Sequence, residues 1–182
     1  LFFAQDREIA DSAEPGDIIG IPNHGTLRVG DTLSERNDVR FTGLPNFAPE
    51  ILRRVVLRDP TKTKQLRKAL DDLSEEGVIQ VFYPEVGSNW VIGVVGQLQL
   101  DVLISRLEAE YKVDAFLEAA PYDTARWLVG SDTALAQFAS FNGGNMAKDR
   151  DGHPVFMARS SWDVGYQQEK HPDLKFSATK ER

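Results

Sequence analysis

The stretch Asn89–Glu118 reads NWVIGVVGQLQLDVLISRLEAEYKVDAFLE, and the rest of the chain can be read against it. Trp90 to Val95 is a β-rich apolar run, too short for a buried helix and bounded by Gly96. From Gln97 the period changes. Leu100, Leu103, Ile104, Leu107 and Tyr111 fall on one face of a 3.6-residue helix, with Asp101, Arg106, Glu108 and Glu110 on the rest. Leu98, Val102 and Ala109 make a weaker second stripe facing away from it, suited to docking another part of the protein or to tolerance of small apolar residues in water. Val113, Ala115 and Leu117 then alternate with polar or aromatic neighbours, as in a strand.

Toward the N-terminus, Phe47 to Leu57 reads as one long strand, with Pro49 tolerable near its start. Asp59-Pro60 is a helix start, Asp as N-cap and Pro in the first turn. Leu66, Ala69, Leu70 and Leu73 form its buried stripe, and Gly77 supplies a left-handed end. Glu75 and Glu76 oppose the dipole at that end, a small cost without a local reason. Val78 to Tyr83 is a strand and Pro84–Ser88 a hairpin loop. The order from Phe47 to Glu118 is therefore β-α-β-β-α-β, the ferredoxin-like split pattern, with both helices on one face of an antiparallel sheet.

Residues 1–43 look all-β: a strand over Phe2–Ile9, a turn at Glu14–Asp17, short strands at Ile18–Ile21 and Thr26–Val29, and a turn at Asn23–Gly25. Such a small sheet is marginal alone, so this region is expected to be the tail of a larger β domain. Past Pro121, a strand over Thr124–Val129 precedes a helix capped at Ser131-Asp132, with Leu135, Phe138 and Phe141 as its inward set. A hairpin around Asp151-Gly152 follows, then a helix capped by Ser161 and running to about His171, then a strand over Leu174–Ala178. The expected fold is thus α+β. Residues 44–120 form a ferredoxin-like core, residues 121–182 an α/β extension, and together they make one domain (44–182) behind part of a β-barrel (1–43). A second ferredoxin-like module over 121–182 is the alternative.

Composition narrows the function classes. With no Cys, disulfides and thiolate metal sites are excluded, which favours a reducing compartment. No apolar run approaches the ~20 residues of a membrane-spanning helix. A net charge of -7 argues against a free-standing nucleic-acid binder. Yet Arg53, Arg54, Arg58, Lys62, Lys64, Arg67 and Lys68 crowd together against Asp59 alone. A solvated strand edge and helix face is the plain explanation of that run. His24, His153 and His171 adjoin turns and lack metal-ligand spacing. Asp149-Arg150-Asp151-Gly152 has the start of a calcium loop without its later ligands, and a hairpin turn explains it better. Gly93-Val94-Val95-Gly96 lacks the third Gly of a dinucleotide motif and the Lys of a P-loop, which leaves close strand–helix packing as the reason for its glycines. No nucleophile–base pair or carboxylate dyad can be inferred.

The residues carry a family resemblance. Glu14-Pro15-Gly16-Asp17-Ile18-Ile19-Gly20-Ile21, followed by Gly30-Asp31-Thr32-Leu33, is similar to the end of the β-barrel second domain of translational GTPases. Gly96-Gln97-Leu98-Gln99-Leu100-Asp101, with Arg106-Leu107, Glu110-Tyr111 and Val113, is similar to the third domain of elongation factor G, which usually has Glu and His where this chain has Gln97 and Gln99. Phe41–Glu50, Leu73-Ser74-Glu75-Glu76-Gly77, Thr124-Ala125-Arg126-Trp127 and His171-Pro172-Asp173 resemble the bacterial peptide chain release factor 3 family, and nearly the whole chain is covered.

That resemblance implies a cytoplasmic class II release factor that acts on the ribosome in translation termination. Family members promote departure of class I release factors and hydrolyse GTP in an N-terminal domain. This chain shows no P-loop, so no GTPase activity, catalytic residue, metal or cofactor is expected within it. GTP or GDP with Mg would belong to the missing domain. The implied partners are that GTPase domain and the ribosome, through rRNA and small-subunit proteins, with a functional link to class I release factors and no membrane. The resemblance turns the basic run into candidate ribosome contacts: Arg53, Arg54, Lys62, Lys64, Arg67 and Lys68. Two other classes stay open, an elongation factor G-like ribosome-acting factor and a ferredoxin-like small-ligand regulatory module.

Overall fold

The computed structural model of the chain describes residues 11–22, 27, 30–36, 38, 39, 41, 46–87 and 89–180. The strands expected at Phe2–Ile9 and Thr26–Val29, and the turn at Asn23–Gly25, fall wholly or mostly outside them. Among the described residues, ten strands and four α-helices follow one another: β1 (Asn46–Phe47), β2 (Ile51–Leu57), α1 (Thr63–Glu75), β3 (Gln80–Pro84), β4 (Val91–Val94), α2 (Gln97–Ala109), β5 (Ala115–Ala119), β6 (Thr124–Val129), α3 (Asp132–Asn142), β7 (Met146–Asp149), β8 (Pro154–Ala158), α4 (Ser161–Lys170), β9 (Lys175–Ser177) and β10 (Thr179–Lys180). The architecture is α+β, with antiparallel sheets.

Eight strands make one sheet in the order β5-β2-β4-β3-β7-β8-β6-β9, every neighbouring pair antiparallel. β2–β5 and β6–β9 are two β-α-β-β-α-β runs. Within each run the first strand lies between the third and the last, and the second lies beyond the third. The two runs meet at those second strands, β3 and β7, where Phe82 pairs with Asp149 and Pro84 with Ala147. Residues 121–182, expected as an extension, thus repeat the strand order of the core in mirror image along one sheet.

The register fixes which side of the sheet each helix covers. Val55 and Ile92 lie beneath α1 and α2, packed with Leu66, Leu70, Leu73, Leu100, Leu103 and Leu107. Phe156 and Leu128 lie beneath α3 and α4, packed with Phe138, Leu174 and Phe176. Because Tyr83, on the α1 side, pairs with Lys148, which shares its strand face with Met146 of the second cluster, all four helices share one face. Full burial of each such Leu or Phe stabilises the fold by roughly 1.5–3 kcal/mol.

The opposite face carries a third cluster that joins the two runs. Leu52, Phe82 and Val91 pack with Ala125, Trp127, Ala147, Val155 and Met157, flanked by Ala48, Ala120 and Tyr122. A two-stranded ribbon of β1 and β10 lies near this cluster. It accounts for a departure from expectation: the strand foreseen over Phe47–Leu57 is broken at Ala48-Pro49-Glu50. Pro49 has no N–H to donate, and the Ala48 N–H turns away to the Ala178 carbonyl (2.7 Å). Pro49 then sits over Gly93, where an added Cβ would lie 2.6 Å from its Cγ. Gly93 is therefore set by this contact on the helix-free face, not by strand–helix packing as expected.

Other departures are local. Ile18–Ile21 is not a strand, and Ile18 and Ile19 are exposed, although the turn before them exists: the Asp17 N–H donates to the Glu14 carbonyl (3.0 Å). Phe141 points to solvent, with Ala134 and Phe138 instead forming the buried side of α3. The N-cap of α4 is Ser160, whose Oγ accepts from the Asp163 N–H, and not Ser161. The two acids ending α1 have distant partners: Glu75 pairs with Arg150, and Glu76 with Arg106.

Candidate nucleic-acid interface

α1 is positioned by its first turn. Asp59 Oδ1 accepts from the Thr61 N–H (3.0 Å) and from the Thr61 hydroxyl (2.7 Å), and these bonds hold its carboxyl below the usual range. Pro60 opens a 3-10 turn, Pro60–Lys62, that feeds the helix. Leu66, Ala69, Leu70 and Leu73 face the sheet as their spacing requires, so Lys64, Arg67 and Lys68 are left in solvent. Lys64 and Lys68 have no carboxylate partner among the described residues. Arg67 lies over the Tyr83 ring at 5.6 Å from its centroid. Tyr83 is held from below by Trp90, edge-on at 5.9 Å, and its hydroxyl donates to Asp71. Burial, and then that bond to a carboxylate, push the phenol well above its ordinary pKa. The result is a row of three cations one and two turns into a helix whose other side is locked in the core.

The other three candidates are placed differently. Arg53 and Arg54 take opposite faces of β2, as alternation demands. Arg53 is half-buried and donates to the Leu52 carbonyl (2.9 Å). Arg54 pairs with Glu118, its direct cross-strand neighbour on β5. Lys62 donates to the Lys112 carbonyl, tying the start of α1 to the end of α2. The structure therefore brings together Lys64, Arg67 and Lys68, and gives Arg53, Arg54 and Lys62 work inside the fold.

A second polar cluster offers metal-type ligands. Asp149, Asp151 and His153 each present an atom within 4.8 Å of the others. Lys180 already supplies a cation there, 2.7 Å from Asp149 Oδ2 and 2.7 Å from Asp151 Oδ2. Trp127 Nε1 donates to Asp149 Oδ2 (3.0 Å), and the backbone N–H groups of Asp151 and His153 donate to Oδ1. Asp149 is 8 % exposed, and its lone pairs are spent on closing the β7–β8 hairpin and holding β10. This is the hairpin turn expected from Asp151-Gly152, with Gly152 at φ 87°. His171 caps α4 and meets Phe138 edge-on at 4.9 Å.

Gly96 has open space where a Cβ would stand. The junction is held by Gln99, whose Oε1 accepts from the Val95 and Gly96 N–H groups (2.9 and 3.2 Å) while its Nε2 donates to the Val78 carbonyl (3.0 Å). Gln99 thus satisfies the start of α2 from within the chain.

Residues 41–168 match the protein family described as class II release factor RF3, C-terminal domain. The chain belongs to that family. The match takes in all four helices apart from the last two residues of α4, and every strand of the large sheet except β9. In this release factor domain, then, the outer face of α1 groups three cations that folding leaves without carboxylate partners among the described residues. Sequence reasoning missed one exposed group altogether, the Trp162–Tyr166 pair on α4. Aromatic residues at helical spacing read as core, and the pattern carries no sign of which are left in water. Among the described residues, no helix is long and apolar enough to cross a membrane.

Proposed function

We propose that this chain is the ribosome-interacting C-terminal part of a peptide chain release factor 3, and that the outer face of α1 is its electrostatic contact. Lys64, Arg67 and Lys68 carry the reading, because they are exposed, adjacent and not engaged by acidic side chains among the described residues. In a protein of net charge -7, such a local patch is what lets it approach a phosphate-rich surface. Each run of the sheet is read as a ferredoxin-like split unit, and residues 1–43 as the end of a barrel domain. The paired runs form a stiff platform, and movement of that platform relative to a GTPase domain couples ribosome contact to nucleotide state. The GTP chemistry, with its Mg, is assigned to that other domain and none to this chain. The role is release of class I release factors in the cytoplasm.

The test is ribosome binding by the protein carrying Lys64→Ala, Arg67→Ala and Lys68→Ala together, across a salt series. All three sites are exposed, so folding should be preserved. Affinity at low salt should fall about tenfold or more, and the slope of log affinity against log salt should flatten by roughly 0.7–0.9 for each phosphate that is no longer neutralised. A folded triple variant with wild-type affinity and slope removes α1 from the interface.

A further inference from the structure

The outer side of α4 has a chemistry the fold does not use. Trp162 is 73 % exposed and stacks on Tyr166, their rings 5.2 Å apart and 14° from parallel. The spacing is one helical turn, so the pair is held by α4 itself. Lys170, a further turn on, places its ammonium 4.4 Å from the Tyr166 ring centroid. At the other end is Arg159, exposed and with no side-chain partner among the described residues. A pocket of about 420 Å3 opens beside Trp162, lined also by Asn142, Asn145, Arg159 and Gln167. Asn142 and Asn145 use their amide nitrogens on the Phe138 and Met157 carbonyls (3.1 and 2.8 Å). Their side-chain oxygens are left as acceptors without protein donors among the described residues.

We propose that this face of α4 is a stacking site for one unpaired RNA base. A base needs a flat aromatic face and polar groups at its edge, and Trp162 with the two Asn acceptors supplies both. The pocket mixes both kinds of wall: Phe156 and Trp162 stand beside the amides of Asn142, Asn145 and Gln167, the Ser160 hydroxyl, the Arg159 guanidinium and the Asp163 carboxylate, so polar edge groups lie next to the aromatic face. Acceptors at the edge favour a base with an exocyclic amino group, adenine above uracil. The charges are balanced. Along the segment the cations Arg159 and Lys170 are matched in number by the anions Asp163 and Glu169, and the Asp163 carboxylate accepts from the Arg159 backbone N–H (3.3 Å), leaving the guanidinium unpaired among the described residues. Stacking, not phosphate attraction, therefore dominates, so the site depends little on salt and differs in that from α1. The inference rests on the ribosome-directed reading for its choice of RNA as partner, and the second arm below separates the two.

In the first arm, fluorescence anisotropy with labelled rA8 and rU8 compares the intact chain with Trp162→Ala and Arg159→Ala. Trp162→Ala should weaken rA8 binding by roughly 5- to 150-fold and abolish the preference over rU8. Its helical CD should be unchanged, since the indole is mostly exposed. Equal affinities for the two oligomers in the intact chain, or an unchanged preference in Trp162→Ala, overturns the site. In the second arm, a photo-crosslinking residue at position 162 is irradiated on purified ribosomes that bind the chain. Crosslinks to rRNA support the proposal, and crosslinks to a ribosomal protein, or none, overturn it. Chain that binds rA8 through Trp162 but does not bind ribosomes refutes the proposed function and leaves the stacking site standing.

Discussion

Gly93 and Pro49 show how one small residue decides the path of the backbone around it. The missing Cβ of Gly93 is filled by the Pro49 ring, with Phe82 Cε2 3.0 Å from the same point. Gly93→Ala should destabilise the protein by about 1–3 kcal/mol, the usual cost of overpacking a filled site. The same change in a Pro49→Gly background should cost less, since the atoms at 2.6 and 2.7 Å both belong to that ring. Urea unfolding of the four proteins measures the coupling, and additive costs would place the strain elsewhere. The sequence made Gly93 visible as unusual but pointed to the helix as its neighbour. Its partner lies 44 positions away across a strand pair, and only the β2–β4 register brings Pro49 over it. Asp149 is a similar case. Asp151-Gly152 spelled a hairpin, while the burial of the Asp149 carboxylate under Lys180, from β10 beyond the second run, left no local trace.

Among elements, the amphipathic ones were legible and the ribbon was not. α1 buries Leu66, Ala69, Leu70 and Leu73, the stripe its spacing announces, and α2 buries Leu100, Leu103 and Leu107. α3 failed at Phe141, whose spacing from Phe138 fits the core but which lies past the edge of the sheet-facing surface. β1 and β10 are two residues each, too short for any periodic signal. What holds β10 is the Lys180 ammonium between Asp149 and Asp151. Lys180 keeps the Asp151 carboxyl below its ordinary value, against the effect of burial and with smaller help from Arg150 and His153. A carboxyl lowered on folding stabilises the fold above its unfolded pKa of about 3.9 and loses that contribution as pH falls through the lower folded value. The ribbon should therefore be fully clasped at neutral pH and loosen below about pH 4. Carboxyl carbon NMR should place the Asp151 midpoint beneath that of a free Asp. Asp151→Asn should flatten the acid limb of the stability curve, and an Asp151 titration at the ordinary value would contradict the clasp.

At the scale of the whole molecule, the question is whether the two runs fold as one. Each half was readable alone, because strand, helix and turn signals act within a dozen residues. Their union was not, since β3 and β7 pair across more than sixty positions and neither strand's pattern names its partner. Two features bind the halves: the continuous ladder through Phe82, Tyr83 and Pro84, and the buried cluster that puts Leu52, Phe82 and Val91 against Ala125, Trp127, Ala147, Val155 and Met157. Arg150 adds an ion pair to Glu75 across the same seam. Separating the runs would expose Phe82 and Ala147, now wholly buried, together with an unpaired strand edge on each side. Unfolding should therefore be one transition for both. Trp90 packs against the core of the first run, and Trp127, on β6 of the second run, is buried in the cluster at the seam, so the two report the first half and its junction with the second. With Trp162 replaced by Phe, and either Trp90 or Trp127 also replaced by Phe, the two single-Trp proteins should each unfold in urea at the same midpoint followed by fluorescence as by far-UV CD. Phe82→Ala should lower both midpoints, in keeping with a stability loss of about 3–5 kcal/mol typical of a buried Phe. Midpoints that separate between fluorescence and CD, or a Phe82→Ala effect on the Trp90 signal alone, would mean that the halves are independent domains sharing an edge, and the ribosome-facing side of α1 would then no longer stand on a stiff platform.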